Sequence, residues 1–410
     1  MQQKYIITPP ESVNTTIQLP ASKSISNRAL ILNALRLSTN PIQNLSDCED
    51  TQVIIDAFNS NSNHFDIKGA GTAMRFLTAF LAGMDGEWII GGSQRMHERP
   101  IHPLVETLIA LGADIEYLQK DGFPPLKIKG KKLKGGEVYL AGNISSQFIS
   151  ALLMVAPLMD NGLVMHIESE VVSKPYILLT IGLMAKCGVK VKWEKNTISV
   201  KPQMYKATEI SVESDWSAAS YWYEIASLIP GTEIKLLGLL KESLQGDSNV
   251  VNLFSDMGVT TEFVSDGIII KSSKKKIKKF FHNFVNEPDL VQTFVAACCF
   301  KNTPFLFSGI QSLKIKETDR VKAMIDEFKK LGYVLRETEI GMLEWDGERS
   351  DSAADTSIDT YDDHRMAMSF TPGAIVLGSI EINDPQVVYK SYPLFWNDLK
   401  QAGFKIEERK

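Results

Sequence analysis

The chain has 410 residues, 44% hydrophobic and 23% charged, which suits a globular protein of two domains of roughly 200 residues each. A net charge of −5 excludes a generic nucleic-acid binder or a protein held on anionic membranes by bulk charge. Any anion recognition must therefore rest on individually placed Lys and Arg. In chain order, a strand near Lys4 leads to a first crossing point at Leu19-Pro20. A Ser22-capped helix follows, with Lys23 and Arg28 at or near its first turn. Gly69-Ala70-Gly71 is a turn feeding a helix that carries Arg75, and Ser145-Ser146-Gln147 opens another. A second crossing is expected at Glu213-Ser214-Asp215. Lys316-Glu317-Thr318-Asp319-Arg320 opens the helix that ends near Leu331, and Asp362-Asp363-His364-Arg365 opens one more.

A helix end, a glycine and a short alternating strand recur at Gly112, Gly188, Gly258, Gly332 and Gly403, spaced 76, 70, 74 and 71 residues apart. Glycine just past a helix permits the left-handed stop, and alternation marks a half-buried strand. A poorer copy around Asp56–Lys68 would make six units, three per domain. Units this long are several strands and helices each, not an ankyrin-type array. The expected architecture is α/β with two domains: 21–213, and 1–20 joined to 214–410.

The chemistry shows at the helix starts. A helix N-terminus carries partial positive charge and favours Asp or Glu, so each Lys or Arg there costs a few tenths of a kcal/mol. Four such starts carry cations. Cations beside exposed backbone N–H groups make anion sites. A single case is as readily a solvated arginine or one paired with a neighbouring Asp; the set together points to function. Helix starts of both halves are expected to share one pocket.

Several other signals are set aside. His97-Glu98-Arg99-Pro100-Ile101-His102 lacks zinc-helix spacing and is interrupted by Pro100. The lysine run 271–279 follows a strand without interleaved aromatics and reads as a solvated loop, so no nucleic-acid partner is expected. Cys298-Cys299 sits in an apolar run and reads as packing; with Cys48 and Cys187 it fits a reduced, cytoplasmic protein. No leader-like segment and no stretch of about 18 apolar residues is present, so no membrane partner is expected.

Ser22-Lys23-Ser24-Ile25-Ser26-Asn27-Arg28, Ala70-Gly71-Thr72-Ala73-Met74-Arg75, Glu98-Arg99-Pro100-Ile101, Ser145-Ser146-Gln147-Phe148 and Ser173-Lys174-Pro175-Tyr176 occur in that order. Gln245-Gly246-Asp247, Lys316-Glu317-Thr318-Asp319-Arg320 and Asp363-His364-Arg365-Met366-Ala367-Met368 follow. From about Lys4 to the last helix the chain resembles the 5-enolpyruvylshikimate-3-phosphate (EPSP) synthases, of the enolpyruvyl transferase family. The resemblance implies a fold of two domains, each of three βαβαββ units. It also implies transfer of the enolpyruvyl group of phosphoenolpyruvate to the 5-hydroxyl of shikimate 3-phosphate, through a tetrahedral adduct, with no metal or organic cofactor. By the same resemblance Ser24 and Arg28 hold the shikimate carboxylate. Ser145, Ser146 and Ser173 hold its phosphate, with Gln147, Tyr176 and Lys316 nearby. Arg99, Arg320, Arg365 and Lys390 hold phosphoenolpyruvate beside Gly71 and Gln147, and Lys23 touches both substrates. Asp289 accepts the hydroxyl proton, Glu317 protonates the methylene carbon, and the sharing of roles between Lys23 and Glu317 stays open. From the residues alone, Asp289 could equally cap a helix, and Glu317 could serve as a first-turn dipole partner.

Three positions depart from the family pattern: Gly69 and Ser312 each replace a frequent Asn, and Phe76 replaces a frequent Pro. Gly71 and the Ser145-Ser146-Gln147 form imply inhibition by glyphosate. A UDP-N-acetylglucosamine enolpyruvyl transferase is disfavoured, because Gly91–Pro100 has no Cys and Lys23 is followed by Ser24 in place of Asn. A non-catalytic anion binder on the same scaffold is disfavoured by the joint presence of Lys23, Asp289, Glu317, Arg320 and Arg365. A monomer acting on small molecules is expected.

Overall fold

The computed structural model describes residues 3–37, 40–143, 145–273, 275, 277–350 and 356–409; Lys274 and Lys276 of the lysine run lie outside them. The chain divides into two compact units, Met1–Pro20 with Glu213–Lys410, and Ala21–Val212.

The first of these begins with β1 (Lys4–Thr8) and β2 (Asn14–Gln18). The chain then builds all of the other unit. That unit opens with α1 (Lys23–Leu35) and α2 (Glu49–Asn59). One βαβαββ motif follows as β3 (His64–Asp66), α3 (Gly71–Ala82), β4 (Gly86–Gly91), α4 (His102–Ala110), β5 (Asp114–Tyr117) and β6 (Leu126–Gly130). It repeats as β7 (Gly136–Leu140), α5 (Ser146–Val155), β8 (Leu163–Ile167), α6 (Lys174–Lys186), β9 (Val191–Glu194) and β10 (Thr197–Val200).

On its return the chain adds α7 (Trp216–Leu228), β11 (Glu233–Leu237), α8 (Val250–Asp256), β12 (Val259–Val264) and β13 (Gly267–Ser272) to the waiting β2. A full motif comes next: β14 (Phe280–Asn283), α9 (Val291–Phe300), β15 (Phe305–Ser308), α10 (Arg320–Lys330), β16 (Arg336–Glu339) and β17 (Met342–Trp345). The last runs β18 (Ser357–Ile358), α11 (His364–Phe370), the short α12 (Ala374–Leu377), β19 (Ile380–Asn383), α13 (Phe395–Gln401) and β20 (Lys405–Arg409), with β1 as its fourth strand.

Among the described residues there are five four-stranded sheets, all with one topology. In each, the first strand pairs parallel with the second, which pairs antiparallel with the fourth, which pairs antiparallel with the third. The sixth motif keeps its two helices, α1 and α2. Among the described residues the pairing in its strand layer is the isolated parallel bridge Gln43↔Ser211. The poorer sixth copy also stops differently: α2 ends at Ser60 in an extended conformation (φ −77°, ψ 138°), with no left-handed glycine.

The other five stops carry the glycine conformation that the spacing predicts, with φ between +79° at Gly188 and +103° at Gly112. A Cβ in that region crowds the backbone, so the chain can reverse from helix to strand there only with glycine.

The helices form the interior. All ten residues of α9 are buried, as is every residue of α3 except Thr72. Helices that are apolar all round have to sit inside. Strands show the complementary pattern: in β6, Leu126 and Ile128 face the core while Lys129 faces water. Trp216, Tyr221, Trp222 and Tyr223 of α7 pack with Phe294 of α9 in one core. Cys298 and Cys299 are buried there as free thiols, which agrees with a packing role. Three lysines of the run are ion-paired: Lys271 with Glu233 (3.0 Å), Lys275 with Asp256 (2.6 Å) and Lys279 with Glu344 (2.9 Å). No helix of the described residues is long and apolar enough to cross a membrane.

Gly332 has φ +80°, and an added Cβ would lie 3.2 Å from the Ser350 carbonyl. Gly332→Ala should cost about 1–2 kcal/mol of stability, read as a lower urea midpoint. Gly83, with φ −94° and an added Cβ only in ordinary contact with the Phe80 carbonyl (3.6 Å), should accept alanine within about 0.5 kcal/mol.

Candidate active site

In the unit Ala21–Val212 the expected residues gather where helices begin. Ser22 caps α1, its Oγ accepting from the Ile25 N–H (3.4 Å), which places Lys23 at the first helical position. Lys23 Nζ lies 2.9 Å from Asp50 in the first turn of α2. The two helix starts are fixed together: Ser26 Oγ accepts from the Ser46 N–H (3.0 Å), and Thr51 Oγ1 donates to Asn27 Oδ1 (2.8 Å).

Arg28 sits one turn further in and is almost wholly buried. Its Nε donates to Thr180 Oγ1 (2.7 Å), and its Nη atoms donate to the carbonyls of Ser24 (2.8 Å) and Tyr176 (3.3 Å). The Phe76 ring lies 5.2 Å away, so the unusual Phe after Arg75 supports Arg28. Burial pulls the Arg28 pKa down to about 10, which leaves it charged at neutral pH. Arg28 thus ties α1 to α6, and several of its donors already meet protein acceptors.

Arg99 differs. It follows the 3-10 turn Met96–Glu98 and lies over the start of α3, where a Cβ on Gly71 would come within 2.6 Å of its Nη2. Gly71 is therefore required for the close approach of the guanidinium. Arg99 is 6% exposed, donates to the Gly69 carbonyl (3.4 Å) and has a buried Nε without a partner. The contact at position 69 uses the backbone, so glycine there keeps it. A buried cation with unspent donors at a helix start has the charge and hydrogen-bond donors that an anion requires.

Gln147 Nε2 donates to Thr72 Oγ1 (3.1 Å), joining the starts of α5 and α3, and Ser145 caps α5 by accepting from the Gln147 N–H (3.3 Å). Ser146 is buried beside it. Ser173 precedes α6 in a left-handed conformation (φ +54°), buried and without a side-chain cap bond. Strain of that kind at a serine is expected where a hydroxyl must be aimed.

In the other unit a second cluster forms. Asp289 lies in the 3-10 turn Pro288–Leu290 ahead of α9 and makes no cap bond. Its carboxylate faces Arg365 (2.9 Å), Arg320 (3.4 Å) and Lys316 (3.9 Å). α10 begins at Arg320, capped by Asp319, so Lys316 and Glu317 lie in the approach to the helix. Neither bland alternative holds: Asp289 is no helix cap, and Glu317 is outside the first turn, bonded to Arg320 (2.8 Å). Arg320 is also held by Asp363 (2.7 Å), which caps α11 by accepting from the Arg365 N–H (2.9 Å). Arg365 donates to the Asp289 carbonyl (3.0 Å) and to the Tyr221 hydroxyl (3.3 Å). Lys390 ends the 3-10 stretch Pro385–Lys390 and donates to the Asp362 carbonyl (2.7 Å). The cations expected at these helix starts therefore each carry an acidic or carbonyl partner.

Burial by itself would raise the Asp289 pKa, yet Arg365, Lys316 and Arg320 hold it well below the usual carboxylate range. Burial, with Asp289 as a like charge, pushes Asp247 up to about 7. The Ser217 hydroxyl donates to Asp247. Two carboxyls of one cluster with pKa values driven apart are equipped for proton transfer, and the cations around them for binding anions. Sequence reasoning missed Asp50, Tyr221 and the charge state of Asp247. Asp50 reads only as a favourable helix-start acid, and the other two depend on neighbours remote in sequence.

The fold has counterparts among solved structures. An EPSP synthase structure from Acinetobacter baumannii matches with a TM-score of 0.79 over 100% of both chains, at 22% identity. A second from the same organism has a TM-score of 0.77. This is an α/β protein of the enolpyruvyl transferase fold. The profile of the family described as EPSP synthase (3-phosphoshikimate 1-carboxyvinyltransferase) matches residues 7–60 and 56–399. A 3-phosphoshikimate 1-carboxyvinyltransferase of Bacteroides fragilis is 51% identical over 405 residues, covering 98% of this chain and 99% of that one. One from Aliivibrio fischeri is 38% identical over 98% and 100%. The chain belongs to the EPSP synthase family.

The raised pKa of Asp247 has a testable sign. The folded state keeps the proton longer than the unfolded chain, so this group's stabilisation is complete below about pH 3.8 and lost as pH rises through about 7. Asp247→Asn should flatten the fall in urea midpoint measured between about pH 5 and 7.

Proposed function

We infer that this chain transfers the enolpyruvyl group of phosphoenolpyruvate to the 5-hydroxyl of shikimate 3-phosphate and releases phosphate, in the route to aromatic amino acids. The observation that carries this is identity of 51%, across essentially the whole length of both chains, to a protein named for that reaction. The two helix-start clusters support it chemically, because each substrate bears both a carboxylate and a phosphate.

Shikimate 3-phosphate is held through its phosphate by Ser145, Ser146 and Ser173, with Gln147, Tyr176 and Lys316 close by. Ser24 and Arg28 take its carboxylate. Phosphoenolpyruvate is held by Arg99, Arg320, Arg365 and Lys390, with Gly71 giving Arg99 its space, Gln147 nearby and Lys23 at both substrates. Asp289 takes the proton from the 5-hydroxyl as its oxygen attacks C2 of phosphoenolpyruvate. Glu317 supplies a proton to the methylene carbon, forming the tetrahedral adduct. The methyl carbon then gives a proton back to Glu317 as the C–O bond to phosphate breaks, and Lys23 neutralises the charge of the departing phosphate.

The cations around Asp289 make it a weak base while the cluster is closed on itself. An arriving phosphate or carboxylate draws Arg365, Arg320 and Lys316 toward its own charge, which strengthens Asp289 when a substrate is there to be deprotonated. The enzyme works as a cytoplasmic monomer.

The reading is tested by phosphate release from phosphoenolpyruvate. Release should require shikimate 3-phosphate; release only with the UDP-sugar, or with neither acceptor, would overturn it. Lys23→Met should abolish turnover with an unchanged melting curve, and near-normal kcat would remove Lys23 from its role. Asp289→Ala should lower kcat by more than about 10²-fold while both KM values move by only about threefold. The opposite split would make Asp289 a positioning group.

A further inference from the structure

The chain enters α11 through a turn that local chemistry does not favour. Tyr361 (φ +53°) and Asp362 (φ +55°) are consecutive left-handed residues, and no other adjacent non-glycine pair adopts this conformation among the described residues. A bulky aromatic residue holds such a conformation only when its surroundings over-determine it.

Two anchors do so here. The Tyr361 hydroxyl donates to Glu327 Oε1 (2.6 Å), on α10. Glu327 is fully buried, and its other oxygen accepts from the Asp359 N–H (3.1 Å) and pairs with Lys330 (2.7 Å), so this one carboxylate brackets the approach to the turn. Lys390 holds the Asp362 carbonyl (2.7 Å), and the Asp363 N–H closes the turn on the Thr360 carbonyl (2.8 Å). What the turn delivers is Asp363, whose two oxygens hold Arg320 (2.7 and 3.3 Å) and whose cap bond starts α11 one residue before Arg365.

We propose that Tyr361 is a positioning residue for phosphoenolpyruvate binding: its hydroxyl, anchored on Glu327, keeps the strained turn wound so that Asp363 aims Arg320 and Arg365. The Tyr361 ring is partly exposed and touches neither guanidinium in the contacts above, so it acts through Asp363. The inference rests on the reading of Arg320 and Arg365 as phosphoenolpyruvate ligands, and Arg365→Lys serves as the control for that reading.

Steady-state kinetics of Tyr361→Phe provide the test. The KM for phosphoenolpyruvate should rise about tenfold, the scale of one charge-assisted hydrogen bond, while that for shikimate 3-phosphate stays within about twofold. Adding Asp362→Gly should restore the phosphoenolpyruvate KM to within about threefold of Asp362→Gly alone, the reference needed because glycine also deletes the Asp362–Lys390 ion pair (2.6 Å) while it adopts the left-handed conformation without strain. A structural role alone would lower the melting temperature without this split or this rescue. The proposal fails if Tyr361→Phe leaves the phosphoenolpyruvate KM unchanged while Arg365→Lys raises it, if both KM values rise equally, or if the glycine gives no recovery. A parental phosphoenolpyruvate KM in Arg365→Lys would instead remove the ligand reading beneath it.

Discussion

Charges can be buried at helix starts only if they are paired, and the structure around Asp289 is built on that constraint. Arg320 is the first residue of α10 and Arg365 the second of α11, where the helix dipole already contributes positive charge, and both are nearly inaccessible to water. An unpaired guanidinium there would carry a large desolvation cost. Asp289, Glu317 and Asp363 offset it with contacts of 2.7–3.4 Å. Such a cluster adds little net stability compared with apolar packing. The arrangement fits the proposed binding of anionic substrates, because cations held by carboxylates can exchange partners without collapsing when no ligand is there.

The cluster at Arg99 solves the same problem differently. No carboxylate pairs with it among the described residues; its guanidinium rests on the Gly69 carbonyl and over Gly71, with Nε unpartnered. Lys23, one helix away, has Asp50. Within one unit, then, one cation is neutralised by protein and another keeps donors in reserve. That asymmetry suits a site where one charge must stay oriented for chemistry and another must receive a ligand.

The repeat explains why so many helix starts are available. In every βαβαββ motif the first helix follows the first strand in the same sense, and the parallel pairing of first and second strands fixes its direction. Helices such as α3 and α9, apolar all round, fill the interior, and their first turns carry the polar residues. Five copies thus supply several helix starts to each unit. The strand β2 waits for β11 while the other unit is completed, so the chain crosses between units twice, after Pro20 and after Val212.

The local features were legible in the amino-acid order because they are decided locally. Glycine tolerates a positive φ that other residues resist, so Gly112, Gly188, Gly258, Gly332 and Gly403 mark helix stops wherever they recur. Ser22, Ser145 and Asp363 cap helices through bonds spanning two or three residues. What each charge meets was not legible. Asp50 reaches Lys23 across 27 residues, Tyr221 reaches Arg365 across 144, and Asp289 collects its cations across 27, 31 and 76. Asp247 acquired its proton affinity mainly through burial, with Asp289 as a like charge remote in sequence. Electrostatic energy depends on separation and burial, and neither exists until the chain has folded. Helix starts, helix stops and the side chains that stand there are settled within a few residues of chain; which of those charges meet is settled by distance and burial, and so only by the folded protein.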